Sequence, residues 1–226
     1  MTQSVNPNPP SPTVYVVDDD AAVRKALARL LKSTGYRARD FASAEAFLHD
    51  WKDDPAPGCL LLDISMPGLD GLQLQHRLNA SKHTIPVIFI TGHGDIPSTV
   101  SAMKAGAVDF LAKPLNDADL LKAVDEALGR DRRQRRERTE REALARRFQS
   151  LTPREREVMA LVVGGLPNKQ IAFDLGASEK TVKIHRGRVM EKMKAHSVAD
   201  LVRAAQKIGI RPGAAPESRE RRAKPR

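Results

Sequence analysis

The sequence contains one cysteine, few aromatic residues and no long apolar run, and each of these shortages excludes a class of protein. The single cysteine, Cys59, rules out an internal disulfide framework. Aromatic residues make up 4% of the chain and hydrophobic residues 41%, which predicts a core of mainly aliphatic side chains. No segment reaches the roughly 18 consecutive apolar residues of a transmembrane helix. Residues 1–12 lack both basic residues and an apolar stretch, so we predict a disordered leader, no secretion signal and a cytoplasmic protein.

Charge is distributed unevenly along the 226 residues. Residues 13–129 contain 12 Lys/Arg and 16 Asp/Glu, a net of −4, whereas the rest of the chain contains 26 and 12, a net of +14. An acidic half joined to a basic half predicts two domains, the second of which faces a polyanion. Nucleic acid is the favoured polyanion. A membrane surface is the weaker candidate, because the basic stretches lack a broad apolar face.

The first half alternates strand and helix patterns. The segments TVYVV, YRARDF, CLLLDI, PVIFIT and VDFLA favour strands, and helical spacing of apolar residues lies between them. CLLLDI and PVIFIT are continuous apolar runs, as expected of strands buried on both faces. A long helix is predicted to begin near Asp117. Five such units within residues 13–129 predict an α/β fold with a doubly wound parallel sheet.

Polar side chains follow four of the five predicted strands, at the point where each strand ends. These residues are Asp18, Asp19, Asp63, Thr91 and Lys113. In a parallel sheet, ligands bind beyond the carboxyl ends of the strands. Any one of these acids could be an ordinary turn or cap residue, and Asp20 is predicted to cap the first helix. That explanation does not account for three acids, a hydroxyl and a lysine at one edge.

The chemistry of this set points to phosphoryl transfer. Converging carboxylates repel one another unless a cation neutralises them, and a small site of hard oxygen ligands suits Mg²⁺. A carboxylate can attack phosphorus to form an acyl phosphate. A lysine and a hydroxyl opposite it would stabilise the charge of the product. The sequence therefore predicts that Asp63 accepts a phosphoryl group.

Residues 13–129 resemble the receiver domain of two-component response regulators. The matching segments are VVDDD, LLDISMPGLDG, FITGHGD and AGAVDFLAKP, in this order. The resemblance implies that Asp63 is the phosphoacceptor and that Asp18, Asp19, Asp63 and the backbone carbonyl of Ser65 hold Mg²⁺. It further implies the following switch residues: Thr91 and Lys113, which sense the phosphate, and Phe110, which replaces the more usual tyrosine. The Lys113–Pro114 peptide bond is expected to be cis.

Residues 130–150 are rich in arginine and contain almost no glycine or proline, so we predict a charged helical linker that extends the preceding helix. It carries Glu137–Arg141 and Glu142–Arg146 pairs spaced four residues apart. A largely exposed, solvated helix is favoured over direct contact with DNA. A helix, unlike a coil, could transmit orientation between the two domains.

The second domain begins at a predicted helix start. Thr152 and Glu155 form a capping box, with Pro153 at the first helical position. The segments NKQIAFDLG and SEKTVKIHRGRVMEKM predict a helix-turn-helix. With LTPREREV they make residues 151–210 resemble the LuxR-type DNA-binding domain of NarL/FixJ response regulators, a small all-α fold. Residues 211–226 are predicted to be a disordered basic tail.

Helical spacing on the predicted recognition helix separates packing residues from binding residues. Val182, His185, Val189 and Met193 should face the core. The predicted DNA-binding residues are Asn168, Lys169, Lys180, Thr181, Lys183, Ile184, Arg186, Gly187 and Arg188. Glycine in a helix costs about 1 kcal/mol relative to alanine, and both close approach to DNA and chance substitution would explain Gly187. On the last helix, Val198, Leu201 and Val202 are predicted dimer contacts.

The two resemblances together imply a transcription regulator. The implied partners are a sensor histidine kinase, double-stranded promoter DNA and a second copy of the chain after phosphorylation, with RNA polymerase as a further candidate and no membrane. An enzyme of the dehalogenase-type phosphatase class would require an aspartate where Ser65 stands, so we expect no enzyme activity toward a separate substrate. An RNA-binding antiterminator would require a coiled three-helix module in place of NKQIAFDLG. A phosphate-independent regulator would have no need of the intact acidic site.

Overall fold

The computed structural model describes residues 11–51, 56–81, 85–92 and 96–213, and contacts divide the chain into a first unit of residues 1–135 and a second of residues 136–226. The predicted leader and tail lie almost wholly outside the described residues. So do residues 93–95 of the FITGHGD segment.

The first unit contains a parallel sheet with helices between its strands. Its strands are β1 Thr13–Val17, β2 Arg37–Phe41, β3 Gly58–Asp63, β4 Val87–Thr91 and β5 Asp109–Ala112. Its helices are α1 Ala21–Ser33, α2 Ala44–Asp50, α3 Gly71–Ala80 and α4 Ile96–Lys104, and α5 Asp117–Gln149 begins in this unit. In the described part of the chain the strands pair in the order β2-β1-β3-β4-β5, all parallel. The predicted doubly wound α/β fold is thereby confirmed.

Each face of the sheet packs against its own apolar layer because successive side chains of a strand point to opposite faces. Val14 and Val16 of β1 pack with α1 and α5, whereas Tyr15 and Val17 pack with α2 and α3. The first layer is aliphatic, as predicted. In the second layer, four of the few aromatic residues collect together: Tyr15, Phe41, Phe47 and Trp51.

The second unit, as described through residue 213, contains the end of α5 and four further helices. They are α6 Pro153–Val163, α7 Asn168–Asp174, α8 Glu179–Met193 and α9 Val198–Lys207. The predicted capping box is present, with Thr152 Oγ1 accepting from the Glu155 N–H and Glu155 Oε2 accepting from the Thr152 N–H. Ser178 caps α8, as predicted. Glu155 is buried and also bonds Lys192 Nζ at 2.7 Å, which joins α6 to α8.

The predicted linker, residues 130–150, is helical through Gln149 but is not uniformly exposed. Asp131 is buried in the first unit, where it accepts hydrogen bonds from the Gly58 N–H at 2.9 Å and from Arg135 Nε at 2.5 Å. Leu144 is 7% exposed and packs in the core of the second unit. The linker residues therefore contribute to the packing of both units.

Candidate acidic site and nucleic-acid interface

Three carboxylates meet at the carboxyl edge of the sheet. Asp18 follows β1 and Asp63 ends β3, and these strands pair side by side with Val17 opposite Leu62. Asp18 is 1% and Asp63 5% exposed, while Asp19 is exposed. One carboxylate oxygen from each of Asp18, Asp19 and Asp63 lies within 4.8 Å of the others. The structure thus brings together the three acidic side chains predicted as metal ligands.

Lys113 lies directly against two of these acids. Its Nζ donates to Asp18 Oδ2 at 2.7 Å and to Asp63 Oδ2 at 3.1 Å. Burial raises the pKa of Asp63, and the hydrogen bond from Lys113 opposes that shift only in part. Burial would lower the pKa of Lys113, but its bonds to the two carboxylates outweigh this and raise it. The lysine is therefore held charged against the buried acids.

The donor set fits a small divalent cation. Three carboxylates converge here and Lys113 is paired with two of them, which leaves an excess of negative charge within a few ångströms. Hard oxygen donors at this separation are the ligands that Mg²⁺ prefers. Ser65, whose backbone carbonyl is the other predicted ligand, follows at the start of the β3–α3 loop, and its N–H donates to Asp63 Oδ1 at 3.4 Å.

The remaining predicted residues of this site lie on β4 and β5. Thr91 ends β4 and is fully buried, and its backbone oxygen accepts from the Lys113 N–H at 2.7 Å. Phe110, on β5, is half-buried against the aromatic layer. The Lys113–Pro114 peptide bond is cis, as expected.

Two charged residues that sequence reasoning missed hold the loops of this site. Arg24 of α1 donates from Nη1 to the backbone oxygens of Asp18 and Asp19, at 2.7 and 2.9 Å. Glu45 of α2 accepts from the Leu69 N–H at 3.0 Å, in the loop that follows Asp63. The sequence offers no motif for either contact, because the partners are backbone groups that every residue carries.

Helix α8 has a packed face and an exposed face. Val182, Val189 and Met193 are buried in the core of the second unit. His185 is half-buried, and its Nδ1 has no hydrogen-bond partner among the described residues. His185 is thus half-buried, as predicted, and its exclusion from contact with DNA stays a prediction.

The residues predicted to bind DNA are mostly exposed. On α8 the exposed members are Lys180, Thr181, Lys183, Ile184, Gly187 and Arg188. Arg186 is half-buried and donates to Asn168 Oδ1 at 2.9 Å. This hydrogen bond between two predicted DNA-binding residues links α8 to α7. Lys169 is exposed beside Asn168 on α7. A Cβ placed on Gly187 would meet no described atom within 4 Å.

One predicted dimer contact requires correction. Leu201 is 0% exposed because α9 packs it into the core of the second unit, so it has no surface to offer a second copy. Val198 and Val202 are half-buried against the same core and keep part of their surface. Their role in a dimer stays a prediction.

Comparison with known families matches both halves of the chain. Residues 14–125 match the response regulator receiver domain, and residues 149–205 match the family described as bacterial regulatory proteins, luxR family. Within the described residues, no helix combines the length and apolar character needed to cross a membrane.

Similar proteins cover nearly the whole chain. Nodulation protein W of Bradyrhizobium diazoefficiens is 50% identical over 87% of this chain and 86% of its own length. Transcriptional regulatory protein FixJ of Azorhizobium caulinodans is 47% identical over 90% of this chain and 96% of its own. Among solved structures, response regulator StyR covers 87% of this chain and 99% of its own, with a TM-score of 0.78 and 46% identity. Full-length FixJ from B. japonicum covers 90% of this chain and 99% of its own, with a TM-score of 0.54 and 40% identity.

Proposed function

The chain belongs to the NarL/FixJ family of two-component response regulators, which regulate transcription, and from this premise we propose that a phosphoryl group on Asp63 controls its binding to DNA. The observation that carries the proposal is the cluster of Asp18, Asp19 and Asp63 with Lys113 against it. In this cluster, a buried nucleophilic carboxylate is surrounded by the groups that acyl phosphate formation requires.

The phosphoryl donor is a phosphohistidine of a sensor kinase. A carboxylate oxygen of Asp63 attacks phosphorus, the P–N bond breaks, and the histidine leaves with the electron pair of that bond. Asp18, Asp19, Asp63 and the Ser65 backbone carbonyl would hold Mg²⁺, and the ion would neutralise charge on the phosphoryl oxygens. Ser65 stands where a dehalogenase-type phosphatase requires a second aspartate, so the acyl phosphate serves as a signal rather than as an intermediate of catalysis.

Lys113 and Thr91 respond to the new group. Lys113 Nζ lies 3.1 Å from Asp63 Oδ2, so a small displacement brings it to a phosphoryl oxygen. The Thr91 hydroxyl donates to another of these oxygens. The Lys113 N–H is bonded to the Thr91 backbone oxygen, so movements at the ends of β4 and β5 are coupled. Phe110, half-buried on β5, then changes position together with Thr91 and Lys113.

The α4–β5 surface is the proposed site of dimerisation after phosphorylation. Val100 and Met103 of α4 are large apolar side chains that are exposed in this structure. A second copy that covers them would bury apolar surface, which favours association. Two copies of the second unit would then be available for two DNA half-sites.

In the second unit, α8 is the proposed recognition helix. Lys180, Lys183 and Arg188 are exposed and would hold phosphates, whereas Ile184 offers an apolar side chain to a thymine methyl group. Asn168 and Arg186 are bonded to each other and would approach the backbone as a pair. Lys169, Thr181 and Gly187, all exposed, complete the predicted surface.

The first test is to map the phosphoryl group. Acetyl phosphate with Mg²⁺ should label the protein at Asp63, and Asp63→Asn should abolish labelling, because an amide oxygen cannot form the acyl phosphate. Asp70→Asn is the matched control, since Asp70 caps α3 in the following loop and an asparagine retains that cap. Mass spectrometry that finds the label on Asp20 or Asp70 would overturn the assignment.

A further inference from the structure

The side chain of Arg24 contacts the backbone of the loop that carries Asp18 and Asp19. Nη1 donates to the backbone oxygens of both Asp18 and Asp19, and Nε lies 3.7 Å from Asp40 Oδ2 at the end of β2. The Arg24 side chain is 15% exposed, so it is largely enclosed by the loop that it contacts. A further hydrogen bond fixes the loop, because the Asp18 N–H donates to the Phe41 backbone oxygen at 3.3 Å.

We propose that Arg24 is a positioning residue for the metal site, because it holds the loop that aims the carboxylates of Asp18 and Asp19 toward Asp63. This inference rests on the proposed Mg²⁺-dependent phosphorylation of Asp63. Loss of a group that orients metal ligands from outside the coordination sphere typically lowers metal affinity or activity by about 10- to 100-fold. Arg24 holds the main chain of two predicted ligands at once.

The guanidinium group suits this task better than an amine. It is planar and always charged, and its donors are fixed relative to one another, so it can restrain two neighbouring carbonyl oxygens. A lysine would supply the same charge from one flexible point. The contact also leaves the carboxylates of Asp18 and Asp19 free of Arg24, which is necessary if they are to bind a metal ion.

Charge and geometry make opposite predictions for the loss of Arg24. A cation beside the site repels Mg²⁺. If Arg24 acted through its charge alone, its removal would therefore tighten Mg²⁺ binding. Removing a group that orients the ligands would weaken binding instead. The sign of the change therefore separates a positioning residue from a bystander charge.

The first measurement uses the metal-free, full-length protein. The Asp20 N–H donates to Asp18 Oδ1 at 2.8 Å, so hydrogen exchange of this amide reports the position of the Asp18 carboxylate. Arg24→Met should accelerate its exchange and Arg24→Lys should do so less. Arg29→Met, at an exposed arginine of the same helix, is the matched control and should leave it unchanged. Equal exchange in Arg24→Met and wild type would overturn the proposal.

The second measurement is Mg²⁺ binding by isothermal titration calorimetry. We expect Arg24→Met to bind Mg²⁺ about tenfold more weakly, with Arg24→Lys between it and the wild type. Mg²⁺ binding that becomes tighter in Arg24→Met would overturn the proposal. A wild-type protein that binds no Mg²⁺ would contradict the proposed function instead, and the metal-free exchange would still decide the role of Arg24. If Arg24→Met fails to fold, Arg24→Lys provides both tests.

Discussion

The glycine in the middle of the recognition helix offers a prediction in which stability and DNA binding change in opposite directions. Gly187 is exposed on α8, and a Cβ added there would contact no described atom within 4 Å. Alanine is favoured over glycine inside a helix by about 1 kcal/mol. Gly187→Ala should therefore stabilise the second unit by about 1 kcal/mol.

This magnitude is measurable in a fragment of residues 136–213, which includes Leu144 and the rest of the described core of the second unit. For a domain of this size, 1 kcal/mol raises the melting temperature by roughly 4–8 °C. Glu191→Ala, at an exposed position of the same helix, is the control, because glutamate is already a good helix former. Thermal unfolding followed by circular dichroism gives both values.

A duplex that the phosphorylated protein selects from a pool of random sequences provides the specific DNA site, and binding to this selected site should weaken in Gly187→Ala. The packing of the unit provides no reason for a glycine at this position, so we attribute its cost to close approach of the helix to DNA. Fluorescence anisotropy with a labelled duplex measures the affinity. An unchanged melting temperature would refute the helix argument, and higher stability with unchanged affinity would refute the role in DNA binding.

Four further predictions test the packing and the DNA interface. Leu144→Ala should destabilise the fragment of residues 136–213 by about 2–3 kcal/mol in urea unfolding, because it removes a nearly buried side chain; a loss below about 0.5 kcal/mol would contradict its core role. The hydrogen bond from Lys192 lowers the pKa of the Glu155 carboxyl in the folded protein below its ordinary value of 4.5. The pair therefore stabilises the fold fully above the pKa of Glu155 in the unfolded chain. This contribution is lost as the pH falls through the lower pKa of Glu155 in the folded protein. Lys192→Met should therefore flatten the dependence of urea stability on pH in this range, and an unchanged dependence would count against the pair. Lys183→Ala should weaken specific and random DNA alike and reduce the salt slope by about one if it holds a phosphate, whereas a loss confined to one base pair would indicate base reading. Val202→Glu should reduce binding to a duplex with two half-sites more than to a single half-site, and equal losses would exclude a dimer contact.

The acidic site could be predicted because its signals are local. Asp18 and Asp63 each follow a short apolar run, and parallel pairing alone brings the carboxyl ends of such strands together. The same reasoning placed Thr91 and Lys113 at this edge. It could not find Arg24, because a bond to a backbone oxygen leaves no mark on the identity of the partner residue.

The helices of the second unit show where sequence reasoning fails. The caps at Thr152 and Ser178 were predicted because they depend on residues only three positions apart. The exposure of Leu201 depends instead on how α9 packs with α6 and α8, which the periodicity of α9 alone does not specify. Leu144 was assigned to a solvated linker for the same reason, since the few apolar residues around it gave no clear buried stripe.

Control of DNA binding by phosphate on Asp63 can be measured as the affinity of the full-length protein for its selected duplex, with and without acetyl phosphate and Mg²⁺. Allosteric coupling of this kind typically changes affinity by about 5- to 150-fold. We expect an increase in affinity in this range for the wild type and none for Asp63→Asn. Equal affinity of the wild type in both conditions, despite complete labelling of Asp63, would contradict this expectation.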